Sequence, residues 1–177
     1  MSTTSLNDLI MLGRQRWMAA VLADIGAHKG ARFVELINRL SLPRDTLVRT
    51  LKACQALGWV IRNPGHGHPL RPEYILTDEG ARIAGIAQSQ LQAQRQIGLP
   101  PGTLTRWGLP ILHSLNGGFQ RFNDLSRVLT PASPRALSDG LRLLATNDLI
   151  MRRLVDDYPP ISLYSLTKSG LILARSA

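Results

Sequence analysis

Arg44, Asp45, Val48, Arg49 and Lys52 recur at helical spacing on the face opposite Leu47, Leu51 and Cys54. Arg135, Ser138, Asp139 and Arg142 do the same opposite Leu137, Leu141 and Leu144. A forked guanidinium on such a face can bond the edge of guanine, Lys and Arg neutralise phosphate, and a carboxylate accepts from the amino group of cytosine. The chemistry within reach is recognition of double-stranded DNA by a helix that fits the major groove; the competing reading is an ordinary solvated, charged face. Arg32 and Arg121 open the preceding helical segments. There an Arg and free helix N–H groups can hold a phosphate, or the Arg serves only its own neighbourhood. His66 and His68 sit among glycines in a loop whose tip can lie along DNA. Two His without a third ligand make no metal site, and no metal or cofactor is expected.

The charge balance agrees with an anionic partner. Net charge is +9, and the excess is spread evenly: eleven basic against seven acidic residues in 1–90, ten against five in 91–177. Of the 21 basic residues only Lys29, Lys52 and Lys168 are lysine, which suits forked recognition and also suits a GC-rich genome. One cysteine excludes an internal disulfide and a Cys-based zinc site within one chain. Cys54 falls on the core side of its helix and reads as an inert buried thiol. No Gly-rich phosphate loop or Ser/His/Asp order appears, so the chain reads as no enzyme. With no signal peptide and no apolar run long enough to span a bilayer, it reads as cytoplasmic and nucleoid-associated, with no membrane role.

The elements that must position these residues are written twice. Arg16-Trp17 recurs as Arg106-Trp107, Arg32-Phe33 as Arg121-Phe122, and Tyr74-x-Leu76-Thr77-x-x-Gly80 as Tyr164-x-Leu166-Thr167-x-x-Gly170. The offset is 90 residues at both ends and 89 between, which one loop insertion would reconcile. In copy one, apolar periodicity and turn residues predict helices over Ser5–Ala27 (with a break at Gly13), Ala31–Leu40 and Arg44–Leu57, strands at Trp59–Ile61 and Glu73–Leu76, and a helix from Thr77 to Ile97. Copy two predicts helices over Arg106–Asn116, Phe122–Leu129 and Pro134–Thr146, strands at Leu149–Arg153 and Leu163–Leu166 around a wing at Asp156–Pro160, and a last helix over Thr167–Ala174. The fold class is mainly α with small β-hairpins (α+β), as two tandem winged helix-turn-helix domains. Residues 1–98 form the first domain with the N-terminal and connecting helices, 99–103 a stiff linker around Pro100-Pro101, and 104–177 the second.

In order, these motifs resemble the HxlR-type winged-helix transcriptional regulators. Copy two carries Arg106-Trp107, Ile111-Leu112, Arg121-Phe122-x-x-Leu125, Ser133-Pro134, Leu149-Ile150-Met151-Arg152, Pro159-Pro160 and Tyr164-x-Leu166-Thr167. Copy one carries Arg16-Trp17, Arg32-Phe33-x-x-Leu36, Gly58-Trp59-Val60-Ile61-Arg62 and Tyr74-x-Leu76-Thr77. There are departures. Pro43 stands where the family has a capping Ser, Asp148 where it has Gly, and no Cys precedes the Trp helix as in thiol-sensing members. Such regulators usually carry one domain and homodimerise through terminal helices. The resemblance therefore implies a sequence-specific DNA-binding regulator acting as a single-chain pseudodimer, with homodimerisation through terminal helices and a small-molecule effector as further partners. The alternative is a winged-helix protein-interaction module with weak or non-specific DNA binding, a reading that Asp139, Asp156 and Asp157 keep open.

Overall fold

The computed structural model describes residues 4–63, 73–156 and 160–176. In chain order the elements are α1 (Leu6–Leu12), α2 (Met18–Ala27), α3 (Phe33–Leu40), α4 (Arg44–Ala56), β1 (Val60–Asn63), β2 (Glu73–Leu76), α5 (Asp78–Gln96), α6 (Gly108–Asn116), α7 (Phe122–Val128), α8 (Pro134–Thr146), β3 (Ile150–Val155), β4 (Ile161–Leu166) and α9 (Lys168–Arg175). The expected Ser5–Ala27 helix is thus two helices, parted after Leu12. A Cβ on Gly13 would overlap the carbonyl oxygen of Arg106, so the chain needs glycine there. Ser5 opens α1 with a reciprocal cap: its hydroxyl accepts from the Asp8 N–H at 3.2 Å, and the Asp8 carboxylate accepts from the Ser5 N–H at 3.1 Å.

The chain packs as two compact units, and they divide it differently from the expected boundaries. One unit is contiguous, Arg14–Gln92, and holds copy one. The other joins the N-terminal segment through Gly13 to the residues from Ala93 onward, and holds copy two. The reason is burial. Ile10, with Leu6 beside it, joins the core formed by Ala93, Ile111, Leu112, Leu115, Leu125, Leu137, Leu141 and Leu144. α1 is therefore a helix of the second unit, although it adjoins copy one in sequence.

Within the copy-one unit, Val21, Leu22, Ile25, Leu36, Leu47, Leu51, Cys54 and Ile83 are all but inaccessible. Each such aliphatic side chain contributes about 1.5–3 kcal/mol by leaving water. The hairpin pairs Val60 with Leu76 and Asn63 with Glu73, antiparallel. An isolated bridge beside the hairpin went unforeseen: Ala31 and Tyr74 exchange backbone hydrogen bonds of 3.0 and 2.9 Å. The copy-two unit repeats the plan. Ile150 pairs with Leu166 and Val155 with Ile161, and the Tyr164 N–H donates to the Gln120 carbonyl at 2.9 Å.

The repeated Tyr-x-Leu-Thr-x-x-Gly motif has a mechanical explanation. Thr77 caps α5, its hydroxyl accepting from the Gly80 N–H at 3.0 Å and donating to the Gly58 carbonyl at 2.7 Å. Thr167 caps α9 the same way, with Gly170 at 3.1 Å and the Asp148 carbonyl at 2.7 Å. The glycine follows because a Cβ at Gly80 would overlap the carbonyl oxygen of Trp59, and one at Gly170 that of Leu149. The last helix of each copy thus lies directly on the backbone entering the wing. Gly58 and Asp148, just before the hairpins, both adopt positive φ, +69° and +52°. Asp148 therefore occupies a left-handed position that glycine holds without strain.

The single insertion read from the sequence is in fact two compensating changes. α2 has ten residues against nine in α6, which lowers the offset to 89. The chain from the start of α7 to the start of α8 is then one residue longer than from α3 to α4, which restores 90.

Candidate nucleic-acid interface

Each copy presents α4 or α8 as the second helix of a helix-turn-helix. The two are oriented alike on their cores. From 43 to 60 and from 133 to 150 the sequence of buried, half-buried and exposed positions is identical except that half-buried Val48 corresponds to exposed Ser138. Leu47, Leu51 and Cys54 point inward in one, Leu137, Leu141 and Leu144 in the other. Burial pushes the Cys54 thiol up to about 12, so it stays a neutral apolar group. Helix entry differs. Ser133 caps α8, accepting from the Ala136 N–H at 3.2 Å with Pro134 in the first turn, whereas Pro43 gives α4 no side-chain cap.

The candidate reading residues all lie on the outer faces. In α4, Arg44, Asp45, Arg49 and Lys52 are exposed, a net charge of +2. The Arg44 guanidinium rests 5.4 Å from the centre of the Phe33 ring, which ties α4 to the start of α3. The Arg49 Nε donates to the Asp45 carbonyl at 3.4 Å. In α8, Arg135, Ser138, Asp139 and Arg142 are exposed, with net charge +1. Asp139 stands where copy one has Arg49, and it binds the cations on both sides. Its carboxylate lies 3.9 Å from Arg135 Nε and 3.5 Å from Arg142 Nη1.

Arg32 and Arg121 are exposed at the entries to α3 and α7. At Arg32, however, the backbone N–H is already taken: it donates to Glu35 Oε2 at 2.8 Å. A carboxylate therefore occupies one of the amides at that helix end. The spacing Arg32-x-x-Glu35, repeated as Arg121-x-x-Asp124, carried that signal in the sequence. His66, His68 and Asp157 lie outside the described residues. Asp156 is exposed at the end of β3.

Three cationic residues on the wings were not among the expected DNA contacts. Arg62, Arg152 and Arg153 are exposed on β1 and β3. Arg152 is held across its hairpin, donating from Nε and Nη2 to the Ser162 hydroxyl at 3.1 and 2.8 Å. The signal was an Arg at the same strand position in both copies, 62 and 152.

One strong polar tie belongs to copy one alone. Arg39 on α3 grips Asp24 on α2 with three hydrogen bonds of 2.6 to 3.0 Å. That hydrogen bonding raises the Arg39 pKa above its ordinary value. In copy two Val128 stands where copy one has Arg39, so the tie has no counterpart there; His113 of α6 has an Nδ1 that is buried without a hydrogen-bond partner among the described residues.

Comparison with known proteins follows the repeat. The family model described as HxlR-like helix-turn-helix matches residues 12–96 and again 104–175. The chain is similar to the HTH-type transcriptional regulator YodB of Bacillus subtilis, 29% identical over 68 residues, which is 38% of this chain and 61% of that protein. It is similar to the uncharacterized HTH-type transcriptional regulator YtfH of Escherichia coli, 36% identical over 66 residues, 37% of this chain and 52% of that one. It is similar to the uncharacterized HTH-type transcriptional regulator YvaP of Bacillus subtilis, 35% identical over 69 residues, 39% and 64% respectively. The chain thus spans between half and two thirds of the length of these relatives. No solved structure matches it significantly.

Proposed function

We propose, for a chain that belongs to the HxlR-like helix-turn-helix family, that it is a sequence-specific DNA-binding transcriptional regulator in which both reader helices belong to one polypeptide. The observation that carries this is the matching orientation of α4 and α8: each exposes a cationic face opposite a buried leucine row. Each helix has the length to enter a major groove, and the +9 balance favours the phosphate backbone. The regulator names carried by its relatives agree with this reading.

As a pseudodimer, one chain would occupy two half-sites one helical turn apart, about 34–36 Å. Support comes from α1, whose Leu9, Ile10 and Leu12 are buried within the single chain rather than left for a second copy.

The test is a gel shift of the purified chain on upstream duplex DNA across salt, followed by footprinting. The expected slope of log K against log salt is steeper than about −3, from several neutralised phosphates at roughly −0.9 each. Affinity that survives with a flat salt response would overturn the proposal and favour a protein-binding module.

A further inference from the structure

We infer that Asp139 is a specificity-determining residue that reads cytosine, so that the two half-sites differ by an inverted base pair at the position where Arg49 reads guanine. The inference rests on the DNA-binding reading proposed above. Its foundation is positional equivalence. Arg49 and Asp139 are both exposed, each two residues after an inward leucine and two before the next, on helices whose burial order matches. The two side chains leave their helices at the same point and face the same part of their own half-sites, the arginine extending farther. The chemistry at that point is opposite. Arg offers only donors, which suit the O6 and N7 acceptors of guanine, whereas a carboxylate offers only acceptors, which suit the N4 amino group of cytosine.

A bare carboxylate facing a polyanion would be repelled. The structure supplies the remedy: Arg135 lies four residues before Asp139 and Arg142 three after, both within ion-pair range. The cluster therefore stays positive. All three side chains are largely exposed, 93% for Arg135, 57% for Asp139 and 78% for Arg142, and the contacts are long, 3.5 to 3.9 Å. Such solvated pairs are weak, so one carboxylate oxygen can turn to an amino group while the arginines swing to flanking phosphates. Copy one has no need of the device, because Arg49 itself contributes charge.

The experiment is selection of bound sites from a randomised duplex library by the full chain, for wild type, Asp139→Ala and Asp139→Arg, with affinities measured on the winners. Wild type is expected to prefer cytosine at one copy-two position by about 5–10-fold, the low end for a base contact because a single hydrogen bond is made. Asp139→Ala should reduce that preference to within about twofold, and Asp139→Arg should switch it to guanine and make the half-sites more alike. If Asp139→Ala strengthens binding equally on every sequence, the carboxylate only repels phosphate and the inference is overturned. Retention of cytosine by Asp139→Arg overturns it too. A library with no enriched sequence for any of the three proteins would instead overturn the sequence-specific reading, and this inference with it.

Discussion

The two copies keep the same scaffold and differ in what they put on it. Where the last helix meets the hairpin they match: Thr77 and Thr167 make equivalent caps, and Gly80 and Gly170 lie against equivalent carbonyls, those of Trp59 and Leu149. Where side chains meet solvent they part. Arg49 becomes Asp139 and Val48 becomes Ser138. The lesson is that duplication preserves the contacts that tolerate no substituent atom and leaves the exposed face of each reader helix free to diverge.

The largest expected effect tests the shared part. Gly80→Ala and Gly170→Ala should each cost about 3 kcal/mol, the upper range for an overpacked contact, because the added methyl meets backbone that cannot swing away. Urea unfolding of each variant checks this. A loss in one copy and none in the other would break the claimed equivalence.

The next effect sharpens the difference. Arg49→Ala with Lys52→Ala should weaken DNA binding by about 2 kcal/mol, close to 30-fold, and reduce the salt slope. Ser138→Ala with Asp139→Ala should cost less affinity, since removing Asp139 also releases Arg135 and Arg142 from their ion pairs. Titrations at one fixed salt concentration compare them directly; an equal or larger loss from the second pair would reverse the ranking.

The smallest concerns a backbone position where copy two departs from copy one. Asp148→Gly should stabilise the protein by about 1 kcal/mol, by relieving a side chain at φ +52° while keeping the backbone carbonyl that Thr167 binds. A rise in thermal midpoint checks it, and a fall would show that the Asp148 side chain compensates for its conformation.

Much of this was legible in the sequence because the decisive signals are local. Leucine rows at three and four placed α4 and α8 almost to the residue, and Pro134 marked the start of α8. Gly58 marked the end of α4, and the Tyr-x-Leu-Thr motif fixed β2, β4 and the helices after them. What escaped was set by distance along the chain. The bridge between Ala31 and Tyr74 and the grip of Arg39 on Asp24 join segments whose pairing no periodicity announces. Among the proposed site residues, Arg32 shows the limit best: its type suggested an anion, but Glu35, three residues on, already occupies its amide.

The packing of α1 gives the molecule an order of completion. Arg14–Gln92 is contiguous and holds its unit from α2 to most of α5, whose last residues pass to the other unit. The other unit takes α1 from before Arg14 and its remaining helices from beyond Ala93. As the polypeptide leaves the ribosome, Leu6 and Ile10 emerge about a hundred residues ahead of α6 and must stay exposed while the whole of copy one is made. Copy one can close around its own core during that interval. Copy two needs both α1 and the residues from Ala93 onward, so the segment that joins the parts of its core is the whole of the other unit.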